Sequence, residues 1–174
     1  MSHIHDKFGQ HDHTVSAYII RTDFDEPKAL LHLHKKTGLW LHIGGHIELD
    51  ETPWQALERE ILEESGYEIR QLELLQPKER MRTLGRGVLH PQAISHNTHP
   101  YGGDPGHYHS DLMYAFVAND KPLHPIGEDE SSVQYWVGRS ELGDAKYSQV
   151  KDEIIFILNV CLPTWERVSP DQFK

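Results

Sequence analysis

The segment from Thr52 to Gly66 can be little other than a helix, and it carries a charge pattern that few folds accommodate. Thr52 is a good N-cap, Pro53 suits the first helical position, Gln55 completes a capping box and Gly66 supplies the stop. Trp54, Leu57 and Ile61 recur at helical spacing and predict a core-facing stripe. Glu60, Glu63 and Glu64, at i, i+3 and i+4, share a face expected to lie roughly opposite that stripe. Like charges at this spacing destabilise a helix. A divalent cation would relieve the repulsion, and hard oxygen ligands suit Mg²⁺ or Mn²⁺. Taken alone, three such glutamates are more simply explained by a solvated acidic face.

Composition narrows the partners. The chain has 174 residues, the length of one domain, with 17 Lys and Arg against 27 Asp and Glu, a net charge of −10. No basic run offsets this, so neither nucleic acid nor an anionic membrane is an expected partner. An acidic protein that handles an anionic small molecule needs a local positive charge, such as a bound cation. The single cysteine, Cys161, excludes an intrachain disulfide and a cysteine-rich zinc site, and makes a reducing cytosol the default. Residues 1–13 read as a polar, histidine-rich arm without a secretory signal, and no apolar run approaches the ~20 residues that span a bilayer. A cytoplasmic location is the resulting expectation.

Along the remainder, residues 14–174, the pattern is that of one mixed α and β domain. Strands are predicted at 15–21 and 29–34, joined as a hairpin through the turn-rich 23–27, and again at 39–43, 68–75, 111–118 and 133–137. Residues 77–109, rich in proline, glycine and histidine, are expected to be largely irregular apart from a strand near 93–95. A last helix is predicted over 148–162, burying Val150, Ile154, Ile157, Leu158 and Cys161.

What overturns the solvated-face reading is the surrounding segment, GHIELDETPWQALEREILEESGY. Gly45, Glu51, Arg59, Glu60, Ile61, Glu63, Glu64, Gly66 and Tyr67 meet the pattern G-x5-E-x7-R-E-U-x-E-E-x-G-U in full, where U is bulky and apolar. This resembles the signature of the Nudix hydrolases. The resemblance implies an α/β/α sandwich with a mixed sheet, and hydrolysis of a phosphoanhydride bond in a nucleoside diphosphate-linked substrate with Mg²⁺. It also implies that Glu60, Glu63 and Glu64 ligate the metal together with the carbonyl of Gly44, and that Glu51 and Arg59 form a structural salt bridge. Family members are often dimers, so a homodimer is one alternative here. Residues 127–142 resemble the stretch that often supplies a catalytic acid ahead of a Trp-Val strand, with Glu130 the first candidate base and Glu128 and Asp129 beside it. An acidic surface loop explains those residues equally well.

Ile43 stands where many members have proline, His46 where Lys or Arg is common, and Asp50 where glycine is frequent. These departures bear on substrate choice. His42 and His46 flank the motif loop and are candidate substrate contacts, as are His107 and His109. The last two alternate with Asp111 and so share a strand face, which leaves three readings: a polar strand face, substrate recognition, or a zinc site. Two other functions stay open beside the hydrolase. One is a Nudix-fold ligand-binding or regulatory module. The other is the isomerase branch, which needs a reactive cysteine that Cys161, on the apolar stripe of the last helix, is poorly placed to supply.

Overall fold

A computed structural model describes residues 4–5, 7–101 and 106–173. Its spine is the parallel pairing of two long strands, β1 (Gln10–Arg21) and β7 (His107–Ala118), in register from Gln10 with His107 to Arg21 with Ala118. Each half of β1 takes a different second partner. Its C-terminal end pairs antiparallel with β2 (Lys28–Leu33), as the predicted hairpin requires, and its middle pairs with β4 (Ile43–His46). β7 likewise pairs with β6 (Ser95–Pro100) at one end and β5 (Leu72–Gln76) at the other. β3 (Trp40–Leu41) and β8 (Gln134–Gly138) extend the sheet from β2, and β9 (Glu166–Val168) extends it from β5.

Strand alternation sends side chains to two cores. Val15, Ala17 and Ile19 of β1 pack beneath α1 (Pro53–Ser65) with Leu30, Leu57, Ile61 and Phe116. Tyr18 and Ile20 face the other way and meet Leu31, Ala115, Val117, Val150, Ile154 and Ile157 beneath the C-terminal helical segment. The result is the expected α/β/α sandwich with a mixed sheet. None of the described helices is long and apolar enough to cross a membrane.

Several element boundaries differ from the sequence reading. β1 begins at Gln10, so residues 10–13 are strand rather than arm, while residues 1–3 and 6 of that segment lie outside the described residues. β7 starts at His107 because the His-x-His alternation continues the strand backwards. β6 lies at Ser95–Pro100, with Ala93 and Ile94 packed just ahead of it. Residues 69–71 form a 3₁₀ turn before β5, with Gln71 capping the backbone of Glu68. The last helix is α (α2, Lys151–Phe156) only until Ile157–Cys161, which winds as π, followed by α3 (Leu162–Thr164). Pro163 has no N–H to continue an α ladder, and the Leu162 N–H reaches back to Ile157 instead. Leu158 is consequently only partly buried.

α1 is capped as its sequence dictates. The Gln55 N–H donates to Thr52 Oγ1 at 3.3 Å, and the Thr52 N–H to Gln55 Oε1 at 2.9 Å. Gly66 closes the helix with φ +73°, and a Cβ there would lie 2.1 Å from the carbonyl oxygen of His124. Gly66→Ala should therefore combine left-handed backbone strain with a backbone clash and cost about 2–3 kcal/mol. The expected reading is a melting temperature lowered by about 5–10 °C; an unchanged one would show that the 120s loop does not depend on this contact.

Candidate active site

Two glycines let α1 press its carboxylates against β4. Gly44 has φ +149°, and a Cβ on it would sit 2.1 Å from the Val15 carbonyl oxygen; a Cβ on Gly45 would sit 2.4 Å from Glu60 Oε1. The Gly44 N–H donates to Glu64 Oε2 at 2.8 Å. The helix therefore lies with one flank against the strand, and the sequence reading of its charged face needs correction. Glu60 and Glu64 are 1% and 5% exposed, next to the apolar stripe rather than opposite it. Glu63 alone points outward, its side chain 44% exposed.

Arg59 ties the loop, helix and strand together. It makes a bidentate pair with Glu51, at 2.7 Å to Oε1 and 2.9 Å to Oε2. Its Nη1 donates to Glu60 at 2.6 Å and Glu63 at 3.3 Å, and Nη2 donates to the His46 carbonyl at 3.0 Å.

The acid ahead of β8 is brought in by backbone contacts. The His124 N–H donates to Gly66 O at 3.1 Å and the Gly127 N–H to Glu63 O at 2.7 Å, which staples the loop to the C-terminal end of α1. Gln134 Nε2 adds a hydrogen bond to the Glu64 carbonyl at 2.5 Å. Glu130 then lies near enough for its charge to be felt by both Glu64 and Glu60.

Burial dominates the electrostatics. Desolvation pushes Glu60 up to about 7, and the Arg59 guanidinium only partly offsets it. Glu64 rises to about 9, again first through desolvation, with the Gly44 N–H opposing and Glu60 and Glu130 adding like charge. His32 Nδ1 lies 3.8 Å from Glu64 Oε1, but burial lowers that imidazole to about 4. At neutral pH a neutral imidazole thus faces a protonated acid, and the contact is no ion pair.

The candidate histidines are not gathered here. His42 turns to the opposite sheet face, its Nε2 3.4 Å from Ser16 Oγ and its ring edge-on to Tyr18. His46, His107 and His109 come together around Asp12, a residue the sequence reading had placed in the polar arm. Asp111 shares their face, as the alternation predicted, but its Oδ1 accepts from Thr14 Oγ1 and Ser16 Oγ, both at 2.8 Å. The His-Asp-His at 11–13, which alternates in phase with β1, is the available signal for Asp12.

The sequence matches the NUDIX domain family over residues 12–156. The chain belongs to the Nudix family. A search of the curated proteins found no match. Among solved structures, a NUDIX family hydrolase from Clostridium perfringens is 26% identical, with a TM-score of 0.59 over 82% of this chain and 97% of that one. Two more distant structures share the fold at 17% identity. The NUDIX domain of Shewanella oneidensis NrtR, complexed with ADP ribose, has a TM-score of 0.60 over 87% of this chain and 91% of its own. The C. elegans Ap4A hydrolase has a TM-score of 0.57 over 84% and 95%.

The raised carboxyl groups give a pH dependence of definite sign. A carboxylate whose folded value lies above its unfolded value contributes stability at low pH and loses it as pH rises through the folded value. In EDTA the melting temperature should therefore fall between about pH 6.5 and 9, the window above the His32 effect and set by Glu60 and Glu64. A divalent ion held by these carboxylates would compete with those protons, so any stabilising shift from Mg²⁺ should grow with pH across the same window. A shift independent of pH would remove Glu60 and Glu64 as ligands.

Proposed function

We propose that this Nudix protein hydrolyses a phosphoanhydride bond in a nucleotide or related small-molecule diphosphate, with Mg²⁺, or Mn²⁺ in its place, as cofactor. The observation that carries the reading is the packing of the buried Glu60 and Glu64 against the Gly44–Gly45 strand, with the charge of Glu130 acting on both. Acidic groups without water or enough positive charge are unfavourable unless protonated or joined by a cation. An all-oxygen donor set fits a hard divalent ion. Glu60, Glu64 and the Gly44 carbonyl would hold it, with the more exposed Glu63 as a further ligand. When bound, such an ion neutralises charge on the phosphoryl oxygens and lowers the pKa of the attacking water.

The chain's own residues supply the remainder. Glu130 is the candidate to accept the proton of that water, a role supported by the pinning of its loop to the end of α1. Arg59 fixes the Glu60 carboxylate and the loop through Glu51. His42, on the opposite sheet face against Ser16 and Tyr18, gives no support to a substrate contact beside the carboxylates. The binding-module reading is less well supported, since Glu60, Glu63, Glu64 and Glu130 are all retained. The isomerase reading loses its nucleophile: Cys161 is fully buried and its thiol is pushed up to about 11.

The test is coupled phosphate and pyrophosphate release with nucleoside triphosphates, nucleotide sugars, ADP-ribose and dinucleoside polyphosphates in Mg²⁺, Mn²⁺ or EDTA. Turnover of one class should require the metal. Glu64→Gln should lower kcat by about 100-fold or more while the fold is kept. Glu130→Gln should cost about 100-fold in kcat with metal affinity unchanged. Full activity in EDTA, or in Glu64→Gln, would refute the assignment; silence across the panel with Mg²⁺ bound would favour the binding module.

A further inference from the structure

We propose that Asp12, His46, His107 and His109 form a second metal site, for Zn²⁺, chemically unlike the carboxylate site and independent of the hydrolase reading. It follows from the sheet's register. On β1, Thr14 pairs with His46 of β4, while Asp12 pairs with His109 of β7 and Gln10 with His107. Side chains two apart on a strand share a face. Asp12 therefore lies between one histidine from the strand on one side and two from the strand on the other, on the face away from α1.

The distances suit one ion. Asp12 Oδ2 is 3.4 Å from His46 Nε2 and 3.2 Å from His107 Nε2. Zinc bonds of roughly 2.1 Å at tetrahedral angles set neighbouring ligand atoms about 3.4 Å apart. Ligand atoms of Asp12, His107 and His109 all fall within 4.8 Å of one another, and His46, outside that trio, joins it through Asp12 once its imidazole turns toward the other two. The imidazoles approach from different directions rather than stacking: His46 and His109 have ring centroids 5.0 Å apart at 80°, and His107 and His109 5.6 Å apart at 84°.

The surroundings support the same reading. Asp12 is 0% exposed and His107 9%. A carboxylate so far from water is kept there by hydrogen bonds, by a paired cation or by a metal ion. Its Oδ1 accepts from the His5 N–H at 2.8 Å and lies 3.0 Å from His5 Nδ1, which orients Oδ2 toward the histidines as outer-shell contacts orient metal ligands. Three imidazoles and one carboxylate select a borderline cation such as Zn²⁺ over Mg²⁺. Four protein ligands leave no open position, so the site is a structural clip joining β4, β1 and β7 rather than a second reaction centre.

The purified, chelator-stripped chain should be titrated with Zn²⁺ against a chromophoric chelator, and in parallel with Co²⁺ as a spectroscopic substitute. We expect one Zn²⁺ per chain with submicromolar affinity, the visible bands of tetrahedral Co²⁺, and a higher melting temperature with Zn²⁺. His109→Ala and His46→Ala should each weaken Zn²⁺ binding at least about 100-fold. Both should melt like the stripped wild type in EDTA, which separates lost ligation from lost folding. Asp12→Asn adds a third variant, interpreted only if its melting in EDTA is likewise unchanged. Glu64→Gln should bind Zn²⁺ as the wild type does. Substoichiometric or millimolar binding, six-coordinate Co²⁺ only, or Zn²⁺ binding lost in Glu64→Gln and kept in His109→Ala would overturn the site.

Discussion

The parallel ladder between β1 and β7 is the constraint from which the other layers take their places. Because side chains alternate, its register decides which of two non-interchangeable sets faces α1. In the observed register Val15, Ala17, Ile19 and Phe116 go beneath α1, and Tyr18, Ile20, Ala115 and Val117 beneath the C-terminal helix. The same alternation aligns Asp12 with His107 and His109, and Asp111 with Thr14 and Ser16. A slip of one residue by either strand would put polar groups into the core under α1 and apolar ones against the histidines. Two cores and one polar cluster thus hang on a single pairing between segments 97 residues apart.

Against that framework the carboxylate site is a local expense of stability. Packing Glu60 and Glu64 against glycine backbone places acids where water cannot reach them, and Arg59 compensates one more than the other. Sites poised in this way are common where chemistry needs groups that would not choose their surroundings on stability grounds alone.

Much of this was legible in the sequence because it is local. Thr52, Pro53, Gln55 and Gly66 fix the ends of α1, and Trp54, Leu57 and Ile61 its buried stripe. The glycine pair and the spacing of Glu51, Arg59, Glu60 and Glu64 carried the family resemblance, and it was the resemblance that implied the carboxylate site and the fold. Periodicity does not encode how a helix docks, and so it could not show that Glu60 and Glu64 would be buried while Glu63 stayed out. The polar N-terminal half of β1 read as an arm because its partners, His107 to Asp111, are remote in the chain. For the same reason the alternation on β7 suggested Asp111 as the companion of the histidines, when the register supplies Asp12. The π winding at Ile157–Cys161 depends on a proline at the far end of an otherwise regular helical pattern.

The loop ahead of β8 is held to the end of α1 by hydrogen bonds from the backbone of His124 and Gly127 to the carbonyls of Gly66 and Glu63. Every amino acid except proline carries such a donor. The position of Glu130 is therefore written in groups common to nearly all residues, while the side chains at 121, 123, 125, 128 and 129 are left out of those two bonds. Those side chains can change one at a time while both bonds, and the acid they hold, keep their place.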